Sequence, residues 1–241
     1  MNNNNTNAKK RQCSKEQWFA RITASLASER LNAYRTADSS IEVTIARYML
    51  NIALCESLYA PLQFCEIALR NSINDYITTI INDPHWFASD NFPLTQWAEL
   101  QVTNAKGQLA RGKKNASNGR IVAELSFGFW TSMFEHYYER TTPFLPSGIK
   151  SVFPNLPKSQ HNRRNIKAKL DRIRILRNRV FHHERIIHWK DLDEKHALIL
   201  DVISWINPEL VELVRELDTY PQIRSAGLNP WIKKAQNHMP V

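Results

Sequence analysis

The sequence predicts an all-α protein: a helical bundle with a short irregular C-terminal tail. Three observations lead there. Only six of the 241 residues are glycine, too few for a turn-rich β fold. Apolar residues recur at spacings of three and four along most of the chain, and no segment alternates strictly as a half-buried strand does. The length allows one large core, so residues 14–220 are expected as a single domain, 1–13 as a disordered polar tail and 221–241 as a C-terminal tail.

Taken in order, Ser14-x-x-Gln17 has the form of a capping box and opens a helix with Trp18, Phe19, Ile22 and Leu26 on one side. A second helix follows Ser40, carried by Ile41, Ile45, Tyr48 and Ile52. Pro61 opens a third in its first turn, where a missing N–H costs nothing. It runs to Asp83-Pro84, because the residue before a proline is pushed out of the α region. A fourth spans about Leu94 to Ala110, with RGKKNASNGR behind it as a basic flexible loop. ELSFGFWTSMFEHYYER reads as one interior helix, apolar on most faces. Pro143, Pro146, Pro154 and Pro157 break the chain, and Ser159 caps a helix from roughly Gln160 to His183. Asp191 and Glu194 resemble a capping box ahead of ALILDVISWI, and Asn207-Pro208 restarts the helix as PELVELVREL.

The formal charge of +9 and pI near 9.6 draw polyanions on approach, phosphate-rich nucleic acid foremost, although many basic proteins bind none. Cys13, Cys55 and Cys65 follow neither a metal-ligand spacing nor a disulfide framework and suit reduced thiols. The polar, basic N-terminus has no apolar signal core, and no uninterrupted apolar run approaches the ~18–20 residues that cross a bilayer. The expectation is a cytoplasmic protein without a membrane partner.

The segment RRNIKAKLDRIRILRNRVFHHER concentrates the chemistry. At about 100° per residue, Leu170, Ile173, Leu176 and Val180 form one apolar stripe with Phe181 at its margin. Arg177 falls close to that stripe, while Asn178 and His182 project together from a neighbouring face. Arg177 and His182 are then about 140° apart on a regular helix. Either the helix loosens after Val180, or a second copy of the chain supplies one of the two across a two-fold axis. The residue types suit RNA cleavage by attack of a ribose 2′-hydroxyl on its phosphate. The imidazole of His182 can serve as base or acid, Arg177 offers charged donors to phosphate oxygens, and Asn178 orients either. The same spacing also arises as an ion pair followed by a helix-terminal His that interacts with the dipole.

LRNRVFHHERI resembles the signature of HEPN-type ribonucleases, and specifically the LRN-x-x-x-H-H form of Abi-like abortive-infection proteins; CEIALRNSINDYI and ELSFGFWTSMF look like that family's two upstream blocks, in order. The resemblance implies a HEPN-type helical bundle with additional helices, Arg177, Asn178 and His182 as the catalytic set, and His183 as a second polar contact. It further implies a homodimer whose motifs meet in a basic cleft, metal-independent cleavage of RNA in phage defence or as a toxin, and a possible cognate antitoxin or regulator. Some members keep the fold without activity and act by binding, so a non-catalytic RNA-binding or antitoxin-like protein is the alternative.

Glu66 and Arg70, one helical turn apart, can pair. With Asn71 they either line the cleft and hold Arg177 or a phosphate, or Glu66 simply neutralises a half-buried Arg177. Arg111, Lys113, Lys114 and Arg120, with Arg163, Arg164, Lys167 and Lys169, suit backbone phosphates or equally a solvated charged face. His182, His183, His188 and His196 lack the carboxylate or thiol spacing of a metal site. Phe127, Phe129, Trp130, Phe134, Tyr137 and Tyr138 suit core packing over base stacking. No P-loop, Rossmann glycine pattern or G-x-S-x-G elbow is present, so no cofactor is expected.

Overall fold

A computed structural model describes residues 14–37 and 39–240; the expected disordered tail, Cys13 included, lies outside them. Among the described residues every regular element is helical, so the protein is all-α. The chain divides into two compact units where the sequence suggested one domain: Ser57–Thr219, and the residues up to Glu56 together with those from Tyr220 onward.

The smaller unit begins with α1 (Lys15–Leu26), α2 (Ser28–Asn32) and α3 (Ile41–Ser57). The capping box forms as expected: the Ser14 hydroxyl accepts from the Gln17 amide at 3.2 Å, and the Ser14 amide donates to the Gln17 carboxamide at 3.3 Å. Trp18, Phe19, Ile22 and Leu26 pack against Leu31, Ile45 and Ala46, and further residues join this core from the other end of the chain. Instead of an irregular tail, the last stretch forms α13 (Tyr220–Ala226) and α14 (Asn229–His238), and Trp231, Ile232, Ala235 and Met239 complete the cluster.

In the larger unit, α4 (Tyr59–Ile81) buries Leu62, Cys65, Leu69, Ile73 and Ile77. It stops at Asn82, whose φ of 55° turns the chain just before Pro84. It starts two residues ahead of Pro61. By length and composition alone the helical stretch Ile41–Ile81 would cross a membrane, with mean hydropathy 1.3 in its most apolar window; half of that window is buried, as in a core helix. A single-turn helix at Trp86–Ala88 leads to α5 (Gln96–Arg111), capped by Thr95.

After α6 (Asn118–Glu124), the aromatic segment does not form one helix but two: α7 (Phe127–Ser132) and α8 (His136–Thr141). On a straight helix Phe129 would point roughly opposite to Phe127, Phe134 and Tyr138. Ser126 caps α7, and the break between α7 and α8 frees Tyr138 to turn independently of Phe129, while α7 is buried on both sides; Phe127, Phe129, Trp130, Phe134 and Tyr138 are all buried, with Trp86 edge-on to Phe92 and Trp130. Tyr137 alone of the six stays exposed.

The proline-rich connection holds α9 (Ser147–Val152), which docks on α4 through Gly148. A Cβ there would stand 2.8 Å from the Tyr76 ring. Tyr76 bonds Ser147 at 2.9 Å and the Ser72 hydroxyl donates to the Val152 carbonyl at 2.9 Å. Next come α10 (Arg163–Phe181), α11 (Leu192–Ile206) and α12 (Pro208–Arg215). Asn162, not Ser159, caps α10. Asp191 sits at the start of α11 without capping it, since its carboxylate pairs with Lys195. Asn207 caps α12 with Pro208 in its first turn. Helix α4 packs against α7, α9, α11 and α12, and α10 against α7 and α11.

Two outcomes follow. Gly148→Ala should cost about 1–3 kcal/mol in urea unfolding, since a methyl would have to displace the Tyr76 ring. Burial pushes the Cys55 thiol up to about 11 and the Cys65 thiol, beside Glu66, to about 12. A Cys13→Ser chain should therefore react with a thiol reagent at pH 8 only as it unfolds; fast labelling of the native protein would contradict this packing.

Candidate functional site

Helix α10 carries the motif. Ile166, Leu170, Ile173, Leu176 and Val180 are buried, which sets the rotation of the helix. Arg177, at the edge of this stripe, reaches across to α4, where its Nε donates to Glu66 Oε2 at 3.1 Å. Neither Nη group makes a hydrogen bond within the described residues. The guanidinium lies 4.5 Å from the centre of the Phe181 ring one turn along, and Phe181 stacks on Tyr59, centroids 5.1 Å apart and planes inclined by 18°.

These groups surround a groove of about 260 Å³, bounded on α4 by Tyr59, Gln63, Glu66, Ile67 and Arg70 and on α10 by Arg177 and Phe181. The expected Glu66–Arg70 pair does not form. Glu66 takes Arg177, and Arg70 turns its Nε to Asn71 Oδ1 at 3.3 Å. Asn71 itself lines a neighbouring groove with Ser72, Asp75 and Asn207. Tyr59, Gln63 and Phe181 were missed as site residues; Tyr59, Gln63, Glu66 and Arg70 follow one another at spacings of four, three and four along one face of α4.

The helix stays regular through Phe181 and ends on the motif. His182 is its C-cap, exposed, with no hydrogen bond or ion pair to its ring among the described residues. His183 adopts φ 58°; its amide donates to the Val180 carbonyl at 3.1 Å and the Glu184 amide to the Arg179 carbonyl at 2.8 Å. That is a Schellman termination, in which the left-handed position normally belongs to glycine. Arg179 and Glu184 form an ion pair across it. Arg177 enters the α4 groove, whereas Asn178 and His182 lie outside its lining. One chain therefore does not converge its guanidinium and imidazole.

The remaining basic candidates divide among other places. Arg111 lines a groove with Gln108 and Glu124, and Lys113 and Lys114 form the α5 terminus beyond it, Lys113 at φ 53°. Arg163 is engaged by Glu139 and the Phe134 carbonyl, 2.9 and 3.0 Å away. Lys167 pairs with Asp171 at 2.6 Å and lines a third groove with Arg174 and Trp97. Arg164 is exposed.

No protein-family model, curated protein or solved structure matches this chain. What the site can do follows from its own residues. Among the described residues no three His, Cys, Asp or Glu side chains cluster as a metal site. His196 is buried against Asp218 at 2.7 Å. Partial burial, with Arg185 and Arg179 near by, holds the His188 imidazole below its ordinary range.

The left-handed His183 is a measurable cost. His183→Gly should stabilise the protein by about 1 kcal/mol by relieving that backbone conformation, read as a higher urea midpoint at unchanged slope. A loss of stability would mean that His183 is held by more than its backbone.

Proposed function

We propose that the chain is a metal-independent endoribonuclease of the HEPN type, kin to Abi-like abortive-infection proteins, that works as a homodimer in phage defence or as a toxin. The observation that carries this reading is the state of Arg177. Its Nε is held by Glu66, which orients a guanidinium whose two Nη groups remain available on a groove wall.

In the reaction, a His182 imidazole takes the proton of a ribose 2′-hydroxyl as that oxygen attacks the adjacent phosphorus. The bond from phosphorus to the 5′-oxygen breaks, the leaving oxygen takes a proton from solvent water, and the imidazolium returns its proton to solvent. Products are a 2′,3′-cyclic phosphate and a 5′-hydroxyl. Arg177 stabilises the charge gathering on the phosphoryl oxygens, and Asn178 orients His182 or the phosphate. Because Arg177 and His182 of one helix diverge, each cleavage centre takes its guanidinium from one copy and its imidazole from the other. The divergence also favours the alternative, a non-catalytic RNA-binding or antitoxin-like protein, if no dimer forms.

Purified protein incubated with RNA in EDTA should leave 2′,3′-cyclic phosphate ends, and His182→Ala or Arg177→Ala should each slow cleavage by about 10²- to 10⁴-fold at unchanged helicity. Mixing the two inactive variants should restore cleavage, since a mixed dimer rebuilds one complete centre. Cleavage by His182→Ala at the wild-type rate would refute the site, and failure of the mixture to recover would refute the shared centre.

A further inference from the structure

The groove beside Arg177 has a feature that cleavage chemistry does not use. Tyr59 and Phe181 are each 39% exposed, although stacked on one another, whereas Phe127, Phe129, Trp130 and Phe134 are almost wholly buried. Stacking covers one face of Tyr59, and the residue still lines the groove. Beside this pair stand two guanidiniums, Arg70 and Arg177, against one carboxylate, Glu66, a net positive wall. The exposed Gln63 amide makes no hydrogen bond within the described residues, leaving both a donor and an acceptor for a ligand.

At about 260 Å³ the space is below the ~300 Å³ at which small-molecule pockets begin, too small for a large cofactor but suited to one flat ring system. An aromatic face, an amide and a pair of phosphate-binding forks are the parts by which proteins hold an unpaired nucleotide.

We infer that this groove is a nucleotide subsite for single-stranded RNA: the base stacks on Tyr59, which Phe181 backs, Gln63 meets its edge, and the Nη groups of Arg177 with Arg70 take the phosphate. The assignment rests on the ribonuclease reading and adds how the strand is held next to the bond to be cut. A second copy of the chain would cover the aromatic pair equally well but would leave the net positive charge of Arg70 and Arg177 over Glu66 without a counter-charge.

The test uses the full chain and a fluorescent, 2′-O-methylated oligoribonucleotide that cannot be cut, titrated at one fixed salt concentration. Tyr59→Ala should weaken binding by roughly 5- to 150-fold, the range for losing one stacked base, and Tyr59→Phe should recover it. Gln63→Ala should lower affinity without changing helicity, and an oligonucleotide with an abasic site at the bound position should bind Tyr59→Ala no worse than wild type. Unchanged affinity in Tyr59→Ala, no binding by the wild type, or a Tyr59→Ala loss that coincides with a fall to monomer mass in light scattering would overturn the assignment, the last marking a protein contact. A chain that binds through Tyr59 but cleaves nothing keeps the subsite and loses the nuclease reading. Wild-type cleavage with unchanged Tyr59→Ala binding does the reverse.

Discussion

The rotation of α10 is the constraint from which the site follows. Five apolar side chains, from Ile166 to Val180, are buried along one stripe. Fully burying each residue of this kind contributes about 1.5–3 kcal/mol, so turning the helix to aim another face inward is prohibitive. Every polar residue of the motif therefore has its direction set by neighbours that take no part in chemistry. Arg177 borders the buried stripe and meets α4; Asn178 and His182 are carried round to another side. The same burial that secures the helix separates Arg177 from His182, and the proposed cleavage draws on a second copy for that reason.

On the α4 side, Glu66 is the polar residue that meets Arg177, with both side chains about three-quarters shielded from water. A shielded charge pair holds its geometry better than an exposed one because solvent competes less. Engaging Nε alone orients the fork without occupying it. At the far end, the chain leaves α10 through a left-handed His183 and a Glu184 that pairs back to Arg179, so His182 is presented at a defined terminus with its ring in solvent.

Much of the helix pattern was legible because local chemistry sets it. The Ser14–Gln17 box, the stop before Pro84, the Asn207-Pro208 restart and the buried face of α10 depend on residues within one or two turns of each other. The failures share a cause. ELSFGFWTSMFEHYYER is helical at almost every local step, and burying Phe134 and Tyr138 alongside Phe129, which points the other way on a straight helix, goes with the break between α7 and α8. Residues 221–241 looked like a tail because α14 has few apolar residues; Trp231, Ile232, Ala235 and Met239 acquire meaning only against α1 and α3, some 200 positions earlier. The Glu66–Arg70 pair was possible locally and lost to a partner 111 residues away.

By itself the amino-acid order determined that the chain is helical, where several helices begin and end, which stripe of α10 is buried, and that Arg177 and His182 could not share one face, because all of these depend on periodicity and short-range hydrogen bonding. Tertiary packing alone decided the division into two units, the splitting of the aromatic segment, which of its two candidate partners, Arg70 or Arg177, Glu66 takes, and the groove formed with Tyr59 and Phe181. Those outcomes depend on which distant surfaces meet, and burial across long sequence separations outweighs the weak preferences that local sequence expresses.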